Sequence, residues 1–591
     1  MCGIHGEIRF DEQAPDRAAQ ARVGEALAPR GPDAQGEWRR GATLLGHRRL
    51  KIIDLSDASA QPLEDAELGL TIVFNGAIYN YPELRRELEG QGYRFRSQGD
   101  TEVLLKAYHA WGEDFVQRLN GMFAFAIAEH ASGALLLGRD RLGIKPLYYS
   151  RDARRLRFAS TLPALLQGGP VDTALDPVAL HHYLSWHAVV PPPHTMLAGV
   201  RKLEAASLLR IEADGSGASR RYWSLEYGPR EGDAQCDFEE WRDRLGASLR
   251  QAVRRRLVAD VPVGVLLSGG VDSSLIVGLL AEQGARDLAT FSVGFDSVGD
   301  TEGNEFEYSD LIAQRFATRH QRIHVPEAEL LEALDPTIAA MSEPMVSHDV
   351  VGFYLLSREV AKSIKVVQSG QGADEVFAGY HWYPPLVGAA DPVAAYREAF
   401  FDRSDAAMRQ LLRRGLPAQD ASGDFVARHF GSPGAQDPVD RALRLDTQVM
   451  LVDDPVKRVD NMTMAWGLEA RVPFLDHELV ELAARMPAEI KLRDGGKGVL
   501  KALARQVVPA AVIDRPKGYF PVPALKHLRE PLLGRIANAL TDPGSHTGGL
   551  YDPRALDAML SDPDAHITRL GGSELWQLGL LELWLRAQLP R

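Results

Sequence analysis

The sequence predicts an α/β protein in two parts, a layered sandwich followed by a doubly wound parallel sheet. In the first two hundred residues, short apolar strands such as 71–74 and 123–127 alternate with helical patterns such as 81–89, which is typical of layered folds. Strand and helix patterns alternate again from about residue 238, and a glycine-rich loop follows the apolar strand at 263–267. In a parallel sheet such a loop lies at the carboxyl end of its strand, where ligands bind.

The chain begins Met1-Cys2-Gly3-Ile4, and removal of the initiator methionine leaves a thiol beside a free α-amino group. An amine with an ordinary pKa of about 7.7–8.0 can accept the thiol proton near neutral pH, which makes Cys2 a candidate nucleophile. The alternative is that Cys2 is an ordinary second residue. These four letters alone do not separate the two interpretations.

Four further motifs favour the nucleophile. They are Arg30-Gly31-Pro32-Asp33, His47-Arg48-Arg49-Leu50, Phe74-Asn75-Gly76-Ala77-Ile78-Tyr79-Asn80 and Gly99-Asp100-Thr101-Glu102. In order and spacing, these motifs resemble the class II glutamine amidotransferase domain over about residues 2–210. The resemblance implies an αββα sandwich of the N-terminal-nucleophile type and hydrolysis of glutamine by Cys2.

Each motif offers a group suited to a free amino acid that carries a side-chain amide. Arg49 presents a planar fork to the α-carboxylate of glutamine, and Asp100 can pair with its α-ammonium group. The Asn75 side-chain amide and the Gly76 N–H can bind the substrate and form the oxyanion hole, because glycine lets the backbone approach closely. Asn-Gly is also a strong hairpin-turn signal, and both interpretations can hold together.

Ala77 departs from the pattern of the family, which usually has a glutamate after Asn-Gly that assists Asp100 with the substrate ammonium group. We therefore expect weaker glutamine binding or another acceptor for this ammonium group. Hydrolysis is still expected, because the nucleophile and the oxyanion groups are intact.

The loop Ser268-Gly269-Gly270-Val271-Asp272-Ser273-Ser274 lies between the strand pattern at 263–267 and a helical run at 275–280. It can offer backbone N–H groups to phosphate, and Asp272 can hold a magnesium ion. A hydrolase nucleophile elbow is excluded because Leu266 stands where that motif needs glycine. A flexible linker is disfavoured because apolar strand and helix patterns frame the loop. No γ-phosphate-cleaving P-loop sequence occurs. The loop resembles the pyrophosphate-binding loop of ATP pyrophosphatases.

A second strand and glycine-rich turn, Ser369-Gly370-Gln371-Gly372-Ala373-Asp374-Glu375, supplies Asp374 as the second candidate magnesium ligand. With the motifs at 460–465, 468–476 and 515–518, the pattern resembles asparagine synthetase. By that resemblance Lys517 stabilises charge on the reacting phosphate, although a lone lysine is by default a solvated surface residue. Glu469 and Arg471 are expected to shape the pocket, with a buried structural ion pair as the alternative.

The resemblance also implies the remaining boundaries and ligands. We expect a glutaminase domain at 2–210, a linker at 211–237 and a synthetase domain at 238–591 with a doubly wound ATP-pyrophosphatase sheet. Residues 386–440 are expected to be a helical insertion. The cofactors are ATP and Mg²⁺, with the magnesium held by Asp272 and Asp374. The implied ATP site comprises Leu267, Ser268, Gly269, Gly270, Asp272, Ser273, Ser274, Val293, Ser369 and Gly370.

Composition bounds the function further. A net charge of −13 argues against nucleic acid as a partner. Only two cysteines, Cys2 and Cys236, exclude a disulfide scaffold, and a catalytic thiol favours a reducing cytoplasm. No apolar run reaches the roughly 18 residues of a membrane helix, and no signal-peptide core precedes the motifs. The sequence does not fix the oligomeric state, and a homodimer is one arrangement open to the chain.

Together the motifs predict a glutamine-dependent, ATP-driven amide synthase. A carboxylate acceptor forms an acyl-adenylate, and ammonia released at Cys2 travels inside the protein and displaces AMP. Ala77, Gln371 in place of a common glutamate, and the segment 343–349 resemble the N-acetylglutaminylglutamine amidotransferase branch. That branch converts an osmoprotectant dipeptide to its amide. Asparagine synthetase proper, which acts on aspartate, is the alternative.

Three other classes fit less well. A phosphoribosyl-coupled or sugar-phosphate-coupled amidotransferase would lack the loop 268–274 and Lys517. A β-lactam synthetase would lack the nucleophile, whereas Cys2 is present. A non-catalytic nucleotide-binding protein would tolerate decay of the site, and only Ala77 and Gln371 depart from the pattern.

Overall fold

The computed structural model describes residues 2–296, 304–515 and 528–590. The first part of the chain forms two six-stranded antiparallel sheets, with strand orders β10-β8-β9-β1-β3-β2 and β12-β11-β7-β6-β5-β4. The strands are β1 (Gly3–Arg9), β2 (Ala34–Arg40), β3 (Thr43–Arg49), β4 (Leu63–Asp65), β5 (Leu70–Ile78), β6 (Gly121–Glu129), β7 (Leu135–Arg139), β8 (Tyr148–Arg151), β9 (Arg155–Ala159), β10 (Arg201–Lys202), β11 (Ser207–Ile211) and β12 (Gly217–Arg221).

The two sheets face each other across an apolar layer. Ile4, Leu45 and Phe158 of the first sheet pack with Val73 and Leu137 of the second. Helices cover both outer faces, so the predicted αββα sandwich is confirmed. The helices of this part are Arg17–Ala26, Tyr81–Gly90, Asp100–Trp111, Leu162–Leu166 and Pro177–Ser185.

Strand β12 lies within the segment that the sequence assigned to a linker. Its five residues pair with β11 and complete the edge of the second sheet. All five side chains are exposed, so the strand carries no apolar alternation by which it could be recognised.

The second part of the chain contains a five-stranded sheet, and every strand pair in it is parallel. The strand order is β15-β14-β13-β16-β17, which confirms the doubly wound prediction. The order reverses between β13 and β16, and such a switch point opens a crevice at the carboxyl ends of the strands. The strands are β13 (Val263–Leu266), β14 (Ala289–Phe295), β15 (Arg319–Val325), β16 (Val366–Gln368) and β17 (Glu469–Arg471).

Helices flank this sheet and form most of the remaining chain. The region 386–440 is helical, as its composition predicts. No described helix is long and apolar enough to cross a membrane. The helices are Phe238–Arg255, Val271–Glu282, Phe306–Arg315, Glu327–Glu332, Leu334–Ala340, Val350–Ala361, Ala373–Val376, Pro392–Phe400, Asp405–Leu411, Ala421–Gly431, Pro438–Leu445, Lys457–Met464, His477–Arg485, Ala488–Leu492, Gly498–Ala504, Ala510–Ile513, Leu532–Thr541, Pro553–Ser561 and Glu574–Gln588.

Two candidate active sites

Cys2 lies immediately before β1 and is 7% exposed. Its backbone nitrogen donates a hydrogen bond of 3.0 Å to the Oδ1 atom of Asn75, which lies on β5 of the opposite sheet. Burial raises the pKa of the Cys2 thiol. The thiol therefore depends on a nearby base to form the thiolate.

Asn75 and Gly76 lie inside β5, so the hairpin-turn interpretation of this dipeptide is wrong. Gly76 pairs with Phe123 across the sheet, and a Cβ at Gly76 would lie only 2.1 Å from the carbonyl oxygen of Met122. Asn75 is fully buried, and its Nδ2 atom has no hydrogen-bond partner in the described part of the chain. A buried amide donor without a partner beside the thiol fits an oxyanion hole.

Arg49 and Asp100 line the same pocket as Cys2 and Gly76. The Arg49 guanidinium is anchored by hydrogen bonds to the backbone oxygens of Asp54 and Ser56. Asp100 begins the helix Asp100–Trp111 and accepts a hydrogen bond of 3.0 Å from the Ile78 N–H. Burial raises the pKa of Asp100 to about 6. The structure thus brings a cation and a titratable carboxyl group together beside Cys2.

Glu469 and Arg471 of β17 also line the Cys2 pocket, although this strand belongs to the other sheet system. Their side chains form the buried ion pair that the sequence offered as an alternative, with 2.5 Å between Arg471 Nε and Glu469 Oε1. Ala77 lines the pocket too. The glutamate missing at Ala77 therefore has no equivalent on β5, and Glu469 brings a second carboxylate to this pocket from the parallel sheet.

The second candidate site is the loop from Ser268 to Ser274 at the switch point. Gly269 has φ of +75°, and a Cβ there would lie 2.8 Å from Tyr308 Cβ. Gly270 is the N-cap residue of the helix Val271–Glu282, and no side chain caps this end of the helix. The first N–H groups of the helix therefore remain available to an anion. Ser274 is fully buried, and its Oγ atom has no hydrogen-bond partner within the described residues. These donors fit a phosphate group.

Asp272 and Asp374 converge on a lysine that the sequence analysis did not identify. The Nζ atom of Lys497 lies 2.7 Å from Asp272 Oδ2 and 2.9 Å from Asp374 Oδ2. Burial opposes its charge, but the two carboxylates outweigh burial and raise the pKa of Lys497. Lys497 lies in a glycine-rich turn and adopts φ of +58°. No local pattern marks such a residue as functional.

Other predicted ATP-site residues lie on the neighbouring loops and strands. A Cβ at Gly370 would lie 3.1 Å from Asp272 Cβ, so the two predicted loops meet. Ser369 donates its N–H to the Arg471 backbone oxygen at 2.8 Å. Leu267 follows β13 directly, and Val293 lies on the neighbouring strand β14. Lys517 lies outside the described residues.

Glu375 is a second group beside the loops whose pKa is shifted. Burial, together with the charge of Asp374, raises the pKa of Glu375 to about 7. Its Oε1 atom accepts a hydrogen bond of 2.8 Å from the Tyr380 hydroxyl. Carboxyl groups with shifted pKa values are concentrated at functional sites.

Two family models match the chain. The asparagine synthase model matches residues 244–586, and the glutamine amidotransferase domain model matches residues 1–223. A Mycobacterium tuberculosis protein named "Putative asparagine synthetase [glutamine-hydrolyzing]" is 34% identical over 99% of this chain and 97% of its own length. Asparagine synthetase [glutamine-hydrolyzing] 1 of Bacillus subtilis is 31% identical, covering 92% of this chain and 90% of its own length. Asparagine synthetase B [glutamine-hydrolyzing] of Escherichia coli is 29% identical, covering 88% and 82%. The chain belongs to the family of glutamine-hydrolysing asparagine synthetases.

Proposed function

We propose that the protein activates a carboxylate as an acyl-adenylate with ATP and converts it to an amide with ammonia drawn from glutamine. The observation that carries this proposal is the pairing of two sites in one chain. One contains a thiol beside an amide donor that has no partner among the described residues, and the other contains a glycine-rich loop with two convergent carboxylates. Such a pairing fits ammonia production coupled to its consumption.

In the proposed glutaminase reaction, the α-amino group of Cys2 takes the thiol proton and the thiolate attacks the side-chain amide carbon of glutamine. The oxyanion that forms is stabilised by Asn75 Nδ2 and the Gly76 N–H. Collapse of this intermediate breaks the carbon–nitrogen bond, and the departing nitrogen takes the proton and leaves as ammonia. Water then hydrolyses the thioester and releases glutamate.

The pKa of Asp100 predicts how glutamine binding depends on pH. If its carboxylate binds the substrate ammonium group, protonation below pH 6 removes that partner. The KM for glutamine should therefore rise as pH falls from 7.5 to 5, measured by glutamate release. Asp100→Asn should have a raised KM that varies little over this range. A wild-type KM that stays constant across this interval would rule out the role of Asp100.

Asp272 and Asp374 fit magnesium because their oxygens already converge on one cation, the ammonium group of Lys497. When bound, the metal would neutralise charge on the phosphates of ATP. Of the protein's own groups, the loop N–H donors and Ser274 Oγ bind phosphate, and Lys497 supplies a fixed positive charge beside it.

Buried apolar residues beside the two sites belong to one packed cluster, which supports internal transfer of ammonia. Leu50, Ile52 and Met122 near the glutamine pocket belong to the same buried cluster as Leu267 and Val472 near the nucleotide loop. Ammonia that reaches bulk water at neutral pH is protonated and loses its nucleophilic lone pair. Transfer through an apolar interior avoids this loss.

For the acceptor we propose N-acetylglutaminylglutamine, with aspartate as the alternative. A capped dipeptide has one carboxylate and several neutral amides, whereas aspartate carries two carboxylates and an ammonium group. The neutral Gln371 suits the dipeptide. Ser347 and Asp349 of the segment 343–349 both accept hydrogen bonds from Arg458 on the helix Lys457–Met464. We propose that this segment shapes the acceptor pocket together with Gln371.

The test is pyrophosphate release by the purified enzyme with ATP, glutamine and one acceptor at a time. The panel contains N-acetylglutaminylglutamine, the uncapped dipeptide as a matched control, and aspartate. We expect kcat/KM for the capped dipeptide to exceed that for aspartate at least about 100-fold, because polar groups left unmatched by the wrong substrate discriminate strongly. Equal or faster turnover of aspartate would assign the protein to the asparagine synthetases proper.

A further inference from the structure

Arg30 joins the candidate nucleophile to the other half of the molecule. Its Nε atom donates a hydrogen bond of 3.3 Å to the backbone oxygen of Cys2. Its Nη1 atom donates to Asp460 Oδ2 at 2.8 Å, and its Nη2 atom donates to Asp460 Oδ1 at 3.4 Å. One guanidinium group thus holds Cys2 on one edge and a carboxylate 430 residues away on the other.

Asp460 is the counter-ion of two buried cations. It lies on the helix Lys457–Met464, next to the parallel sheet, and is 3% exposed. Besides Arg30, it pairs with Lys145, whose Nζ atom lies 3.3 Å from Asp460 Oδ1. Burial opposes its ionisation, but Arg30 and Lys145 outweigh burial and lower the pKa of Asp460. Removing this charge would leave two buried cations facing each other without a shared partner.

Among the described residues, two side chains hold the backbone of Cys2. Its N–H is bound by Asn75 Oδ1, its carbonyl oxygen is bound by Arg30 Nε, and strand pairing begins only at Gly3. A shift of Arg30 therefore releases one of these two backbone hydrogen bonds. Misplacement of a reacting atom by about 1 Å can cost on the order of 100-fold in rate.

We propose that Asp460 is a positioning residue of the glutaminase site, which acts through Arg30 to hold Cys2 in its reactive position. This inference rests on the proposed role of Cys2 as the nucleophile. It means that the synthetase half of the chain supplies a group that the glutaminase reaction requires.

The test compares Asp460→Asn, Asp460→Glu, Arg30→Lys and the double variant Arg30→Lys/Asp460→Asn in the full chain. Asp460→Asn should lower the glutaminase kcat at least 10-fold while the KM for glutamine stays within threefold, because Arg49 and Asp100 are untouched. Asp460→Glu should recover part of this loss. If Asp460 acts through Arg30, the double variant should be no slower than the slower single variant.

Asp453→Asn is the matched control for a disturbed interface. Asp453 is as buried as Asp460 and pairs with Lys202 of β10 at 2.6 Å, but its hydrogen bond reaches neither Arg30 nor Cys2. Its glutaminase kcat should stay within threefold of wild type. Ammonia-dependent pyrophosphate release reports whether each variant is folded. If Asp460→Asn lacks this activity, the glutaminase kcat of Asp460→Glu and of Arg30→Lys is compared with wild type instead.

The inference is overturned by an unchanged kcat in Asp460→Asn, by an equal loss in Asp453→Asn, or by multiplicative losses in the double variant. A failure of the proposed function would look different. In that case Cys2→Ala would keep its glutaminase activity, whatever the result at Asp460.

Discussion

Replacing Cys2 with alanine should abolish glutamine-dependent synthesis, by at least about 1,000-fold, because the thiolate forms the covalent intermediate and no other group can replace it. Synthesis from ammonium salts at high concentration should remain within threefold of wild type. The second site lies on the parallel sheet and contains no group from the thiol chemistry. The measurement is amide product formed from each nitrogen source.

Cys236→Ala is the matched control, because Cys236 is the other cysteine of the chain and is half-buried. It should leave both activities unchanged. Loss of both activities in a folded Cys2→Ala protein would show that the two sites cannot be separated as proposed.

Replacing Asp272 or Asp374 with asparagine should lower pyrophosphate release by about 100-fold or more, while basal glutaminase activity persists. The asparagine amide is a poor ligand for magnesium. The substitution also removes one negative charge, so Lys497 keeps one carboxylate partner in place of two. The measurement is pyrophosphate release with the acceptor and ATP, alongside glutamate release without them.

Asp514→Asn is a suitable control, because Asp514 forms an exposed ion pair with Arg505 in the same half of the chain. It should change neither activity. The appearance of ADP and phosphate in place of AMP and pyrophosphate would contradict the adenylate mechanism, whichever variant is assayed.

Much of the fold was predictable because its signals are local. The loops after β13 and β16 have apolar strands before them and helical patterns after them, and parallel strands bring their carboxyl ends together. Asp272 and Asp374 could therefore be placed in one site from the sequence. The hairpin turn considered as the alternative at Asn75-Gly76 is absent because close packing against Met122 also demands glycine, and the dipeptide pattern cannot distinguish the two demands.

Contacts between residues far apart in the sequence could not be predicted from spacing. Lys497 meets Asp272 from 225 residues away, and nothing in its glycine-rich turn points toward a phosphate site. Glu469 and Arg471 were expected to shape a pocket, with a buried ion pair as the alternative, but their position in the Cys2 pocket depends on how β17 packs against the sandwich. Such placements follow from tertiary packing, which periodicity does not encode.

The pairing of Arg30 and Lys145 with Asp460 limits how this architecture can be recombined. The two cations lie in the region that matches one family model, and the carboxylate lies in the region that matches the other. Consider a chimera that joins the first half of this protein to the second half of a relative with a neutral residue at position 460. It would leave two buried cations without a counter-ion, which would lower the free energy of unfolding by about 3–5 kcal/mol. The charges of the two halves are therefore matched to each other. An exchange of one half must keep the carboxylate at position 460 opposite the two cations.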